Sequence, residues 1–88
     1  MKPVTIYVND WCPYCRAAKQ LLAGKDVRFE EIDITGKPEL RAEMAARANG
    51  RTSVPQIFIG GTHVGGCDDL VALDQRGGLA ALLGAGVA

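Results

Sequence analysis

Val4-Thr5-Ile6-Tyr7-Val8-Asn9-Asp10-Trp11-Cys12-Pro13-Tyr14-Cys15 is the stretch on which the fold turns. Its first five residues are β-branched and aromatic, the composition of a buried strand, and the run ends at Asn9 and Asp10. Beyond it, Tyr14, Ala17, Ala18, Leu21 and Leu22 recur at i, i+3, i+4, i+7 and i+8. That spacing predicts a helix with one apolar face, and Gly24 is its stop. A strand therefore feeds into a helix with a C-x-x-C pair at the junction.

The junction gives the pair its chemistry. Unpaired N–H groups of the first helical turn point at the Cys12 sulfur, and the helix dipole presents partial positive charge there. Both favour thiolate over thiol, and Arg16 adds a positive charge nearby. Pro13 sits where its missing N–H costs nothing. Three residues of helix return Cys15 to the same face, within disulfide reach of Cys12. Cys15 lies inside the helix and should be the less exposed. Cys12 is thus read as the attacking nucleophile and Cys15 as the resolving thiol. Zinc is the competing reading, because His63 and Cys67 would complete a Cys3His set. Zinc pairs of this spacing usually sit in turns, not at the opening of an amphipathic helix, so no metal site is expected.

Further along, Val27 to Ile32 reads as a second strand whose alternation changes phase, hence a short or irregular one. Pro38 suits the first turn of a helix carrying Leu40, Met44, Ala45 and Ala48, with Gly50 at its C-terminal end. Gln56-Ile57-Phe58-Ile59 reads as a strand, Gly60-Gly61 as a tight turn and Thr62-His63-Val64 as the returning strand. Asp68 and Asp69 suit the start of a helix through Leu73. After Gly77-Gly78, Leu79, Leu82 and Leu83 mark a last short helix, and residues 84–88 form a loose Gly-Ala tail. The order is β-α-β-α-β-β-α. The first two strands must be parallel and the last two antiparallel, because a helix connects the former and a hairpin the latter.

The 88 residues make one domain spanning 1–88. Ten basic residues balance ten acidic ones. With no long basic run, sequence-independent binding to nucleic acid or an anionic membrane gets no support. The first apolar run is too short for a leader, and no segment approaches a spanning helix, so a cytoplasmic location is expected. Three cysteines are too few for a disulfide scaffold. In a reducing compartment a close pair points to catalysis or metal binding.

Trp11-Cys12-Pro13-Tyr14-Cys15, Val54-Pro55-Gln56-Ile57-Phe58-Ile59 and Gly65-Gly66-Cys67-Asp68-Asp69-Leu70 resemble, in order and separation, the three signatures of dithiol glutaredoxins. The resemblance runs from about Val4 to Leu83. It implies a thioredoxin-like α/β fold, a four-stranded mixed sheet flanked by helices. It also implies glutathione as co-substrate, no tightly bound cofactor, and a monomer acting on glutathionylated or disulfide-containing proteins. The implied glutathione-binding residues are Cys12, Tyr14, Thr52, Val54, Pro55, Gly66, Cys67 and Asp68. Pro55 matches the family's cis proline, with Val54 offering its backbone to the cysteinyl part of glutathione. Gly66, Cys67 and Asp68 would hold the γ-glutamyl unit at a helix start. Cys67 would act through its backbone, not as a third redox centre. Arg51 is a candidate contact for the glycine carboxylate.

One departure stands out. Many family members carry Lys three residues before the attacking cysteine, where this chain has Asn9; Arg16, Lys19 or Arg51 are the candidates to compensate. Under the resemblance, Cys12 attacks a protein–glutathione mixed disulfide, and a second glutathione releases it. Cys15 is then needed only for protein disulfides. Two rivals differ in kind. One is a reductant fed by thioredoxin reductase, against which Gly65-Gly66-Cys67-Asp68 argues. The other is a non-enzymatic carrier holding a 2Fe–2S cluster between Cys12 of two chains and two glutathiones. Pro13 argues against the carrier, since cluster-binding relatives usually have a small residue there.

Overall fold

A computed structural model describes residues 2–84. Eight elements follow in order: β1 (Val4–Val8), α1 (Pro13–Gly24), β2 (Glu30–Asp33), α2 (Pro38–Arg47), β3 (Gln56–Ile59), β4 (Thr62–Gly65), α3 (Cys67–Gln75) and α4 (Gly78–Leu83). The expected order holds, with the short last helix as α4. Of the expected Gly-Ala tail, residues 85–88 lie outside the described residues.

The strands form one sheet in the order β2-β1-β3-β4. β1 runs parallel to β2, and β3 runs antiparallel to β4, as the connections required; β1 also runs antiparallel to β3. Period-two alternation on the central strands splits the core between two faces. On one, Val4, Ile6 and Val8 of β1 and Ile57 and Ile59 of β3 pack with Ala18 and Leu22 of α1, Leu70 of α3, and Leu79 and Leu83 of α4. On the other, Tyr7 and Phe58 pack with Ile34, Met44 and Ala48, covered by α2. The result is a mixed sheet with helices on both faces, the architecture the resemblance implies.

Two local readings differ from the sequence expectation. The second strand begins at Glu30, not Val27. The N–H of Val27 bonds to the Leu22 carbonyl at 3.0 Å, and the Val27 side chain enters the core beneath α1. Its backbone is therefore committed to the helix end and is lost to the sheet. On α1 the buried stripe is Cys15, Ala18 and Leu22, while Tyr14 and Ala17 are exposed. The fully buried stripe is narrower than the pattern suggested and includes the second cysteine.

The register fixes where the functional groups gather. Tyr7 pairs with Gln56, and Ile57 pairs with Gly65. The end of β1, the start of β3 and the end of β4 thus share one edge of the sheet. Phe58 pairs with His63, so Val64 is the extra residue of a bulge that turns the chain toward Gly65 and Gly66. Gly65 has φ +118°, and a Cβ there would collide with the Asp69 carboxylate.

Candidate active site

Three segments converge at that edge: the start of α1, the loop Ser53-Val54-Pro55 before β3, and the junction of β4 with α3. Cys12 is the N-cap of α1, in extended conformation at φ −104° and ψ 103°. Its sulfur accepts the backbone N–H of Cys15 at 3.1 Å, and the Arg16 N–H bonds to the Cys12 carbonyl at 3.1 Å. The Cys12 sulfur also lies 3.8 Å from the Val54 carbonyl oxygen. The Val54–Pro55 bond is cis.

The two sulfurs live in different surroundings. Cys12 is half-buried, whereas Cys15 is 2% exposed. Burial pushes the Cys15 thiol up to about 12, and the neighbouring Cys12 sulfur adds to the rise. The backbone of Asn9 and the charge of Lys19 pull the other way. Cys67, half-buried at the first position of α3, is raised by burial and then by Asp68 and Cys12.

Beside Cys12 runs a groove of about 320 Å³. Tyr14, Val54, Pro55, Gly66, Cys67 and Asp68 line it, so six of the residues named from sequence come together there. Cys12 and Thr52 are not among its walls: Cys12 meets the wall at the Val54 carbonyl, and Thr52 is exposed, its carbonyl accepting from Arg41 Nη1 at 2.6 Å. Arg51 lines the groove, but at the α3 end, where Nη1 stands 3.2 Å from Asp69 Oδ2. Ser53 and Asp69 complete the lining, and neither was singled out for the site. The spacing Gly66-x-x-Asp69 is a signal that would have found Asp69. Its Oδ2 accepts the Gly66 N–H at 2.9 Å, the helix-start contact in which the third residue reaches back. That bond, and then Arg51, hold the Asp69 carboxyl below the usual carboxylate range.

The start of α3 presents donors to the groove. Leu70 is the first residue to bond back, its N–H reaching the Gly66 carbonyl at 3.0 Å. The N–H groups of Cys67, Asp68 and Asp69 stand ahead of the ladder and face an anion's natural position. Behind the loop, Gln56 is fully buried. Its amide donates to the Ser53 carbonyl at 3.0 Å, and its Oε1 accepts from His63 Nε2 at 2.7 Å. His63 stacks on Phe58 with centroids 5.0 Å apart. Both contacts tie it to the β3–β4 hairpin.

Asn9, three residues before Cys12, belongs to a loop network. Its Oδ1 lies 2.6 Å from Thr35 Oγ1, which lies 2.6 Å from Asp33 Oδ1. Trp11, in left-handed conformation at φ 58°, is 94% exposed, and Tyr14 is 65% exposed. These two large apolar side chains flank Cys12.

The glutaredoxin sequence profile matches residues 4–64. A glutaredoxin of Pseudomonas aeruginosa is 65% identical over 85 residues, covering 97% of this chain and all of that protein. The solution structure of glutaredoxin from Brucella melitensis superposes with a TM-score of 0.83 at 58% identity, covering 94% of this chain and 89% of that one. The crystal structure of a buckwheat glutaredoxin–glutathione complex also gives 0.83, at 28% identity, over 93% of this chain and 76% of that one. Its thioredoxin-like fold and its cysteine pair at a strand-to-helix junction agree with these matches, and the chain belongs to the glutaredoxin family of thiol–disulfide oxidoreductases.

Proposed function

We propose that this single domain is a glutathione-dependent oxidoreductase that reduces protein–glutathione mixed disulfides through Cys12 and protein disulfides through Cys12 and Cys15. The observation that carries this reading is the groove itself. It is lined by the loop backbone at Val54 and by a helix start at Cys67-Asp68, and the Val54 carbonyl in its wall lies 3.8 Å from the Cys12 sulfur. The similarity to a glutaredoxin solved with glutathione supports the same ligand here.

In this reading glutathione lies extended along Val54, pairing with its backbone as an added strand. The α-carboxylate of its γ-glutamyl unit meets the free N–H groups of α3, and Asp68 meets the ammonium group. Arg51, tied to Asp69 at that same end, supports the γ-glutamyl side and not the glycine carboxylate. Cys12 is the attacking sulfur, and the Cys15 N–H stands 3.1 Å away to donate to it. Attack on the glutathione sulfur of a mixed disulfide forms Cys12–glutathione and expels the protein thiolate. A second glutathione then attacks that sulfur and leaves as glutathione disulfide, restoring Cys12. For a protein disulfide, Cys15 displaces the substrate from Cys12, and glutathione reduces the Cys12–Cys15 bond. The exposed rings of Trp11 and Tyr14 offer a protein substrate apolar surface beside the reacting sulfur. The chemistry needs thiols kept reduced, which suits a cytoplasmic setting.

Turnover of a small glutathione mixed disulfide by wild type and by Cys15→Ser tests the reading. Cys15→Ser retains this activity while losing reduction of protein disulfides. Equal loss of both would contradict the division of labour.

A further inference from the structure

A second cavity touches the cysteine pair and shares no lining residue with the groove. It holds about 150 Å³, and Asn9, Cys15, Arg16, Lys19, Glu31 and Asp33 are among its walls. That volume has room for several waters, and the lining offers them partners. Lys19 follows Cys15 by one helical turn on α1, so the two side chains share a face. Glu31 reaches across from β2 and holds the Lys19 ammonium at 2.9 Å.

This cavity answers a need that the groove does not. Cys15 must lose its proton to act as a nucleophile, yet burial and the Cys12 sulfur both favour its thiol form. The two influences that favour its thiolate, the Asn9 backbone and the Lys19 charge, come from residues of the polar cavity. The other charged groups facing it are Asp10, Arg16, Glu31 and Asp33. Asp33 is held ionised by the Thr35 donors, with Lys37 and Lys19 nearby, and Glu31 is taken up by Lys19.

We propose that Lys19, held by Glu31, is the positioning residue that lets Cys15 ionise for the resolving step, with water in the polar cavity carrying the proton away. Cys15 passes its proton to that water and on to solvent. Its thiolate attacks the Cys12 sulfur of the Cys12–substrate disulfide. The Cys12–Cys15 bond forms as the Cys12–substrate bond breaks, and the substrate thiolate leaves and takes a proton from solvent. The substrate gains two electrons and the dithiol loses two. The proposal rests on the resolving role given to Cys15 above.

Loading Cys12 with 2-nitro-5-thiobenzoate as a mixed disulfide isolates this step in the full chain, in a Cys67→Ser background. Attack by Cys15 releases the coloured thiolate once per molecule. Lys19→Gln should slow release at neutral pH by roughly three- to tenfold and move the rate's rise to higher pH, the size expected for removing one partly screened charge. Lys19→Arg should restore both. Release with an unchanged pH dependence in Lys19→Gln overturns the proposal. So does an equal slowing, in the Cys15→Ser background, of release by added glutathione, because that places the ammonium's effect at Cys12. Failure of the broader reading looks different: glutathione mixed disulfides would go unreduced by every variant while intramolecular release persisted.

Discussion

The backbone N–H of Cys15 donates to the Cys12 sulfur at 3.1 Å, while the Cys15 side chain itself is buried between the core and the polar cavity. One residue thus supports charge on its partner through its main chain and withholds its own side chain. A helix start makes this possible, because the donor is a first-turn N–H with no partner inside the helix. In the proposed cycle this asymmetry sets the order in which the two sulfurs react.

The asymmetry predicts selective alkylation. With its thiol pushed up to about 12 from an ordinary 9.0, Cys15 in the native reduced protein should alkylate on the order of a thousandfold more slowly than a free thiol near pH 8. Its labelling should rise with pH until it ionises. Peptide mapping after timed iodoacetamide treatment measures this, and Cys12 should carry nearly all the early label.

The same group predicts a loss of stability in alkali. The folded state holds the Cys15 proton up to about 12, while the unfolded chain releases it near 9.0. The unfolded state therefore binds fewer protons between those values, and stability falls as pH rises through that window. Denaturant titrations at pH 8 and pH 10.5 should show the reduced wild type losing more stability than Cys15→Ala.

Asp69 is expected to serve both stability and binding. Asp69→Ala removes the acceptor for the Gly66 N–H and the partner of Arg51, at a cost of about 1 kcal/mol, typical of a helix cap. It should also raise KM for a glutathione mixed disulfide more than it changes kcat, because the start of α3 loses its fixed shape. The carboxyl is held low, so its contribution is present above an ordinary carboxylate value and fades as pH falls through the lowered one. Urea titrations at pH 3 and pH 6 should show the two proteins differing less at the lower pH.

Gly65→Ala tests the same junction from the backbone. A Cβ at φ +118° is strained and would displace the Asp69 carboxylate and crowd Arg51. A loss of roughly 1–3 kcal/mol is expected from the conformation alone. Thermal unfolding and KM should change together, which separates this variant from a core change. Leu22→Ala, at a fully buried position, should cost about 2–5 kcal/mol with KM little altered in the folded fraction.

Much of this was legible before any coordinates. β1, α1 and the β3–β4 hairpin carry strong local patterns, and Gly60-Gly61 fixes the hairpin's turn. Connection length then forced the parallel and antiparallel pairings. What stayed hidden depends on neighbours distant in sequence. Val27 has strand composition, but the Leu22 carbonyl claims its N–H. Tyr14 fits an apolar helical stripe, yet sits in the first turn, beyond the reach of the sheet, and faces the groove instead. Thr52 precedes the groove-lining Ser53 in sequence, yet its carbonyl bonds to Arg41 of α2 and it is not among the groove's walls. Lys19 reads from sequence only as one of three candidates to replace the absent Lys, and its pairing with Glu31 of β2 shows only in the fold.

In the proposed cycle Cys12 alone carries glutathione during turnover. Intact-mass and peptide analysis of Cys15→Ser, quenched with acid while reducing a small glutathione mixed disulfide, tests it most directly. One glutathione per chain, located on Cys12, is expected. Active protein with no adduct, or with its glutathione on Cys67, would contradict it.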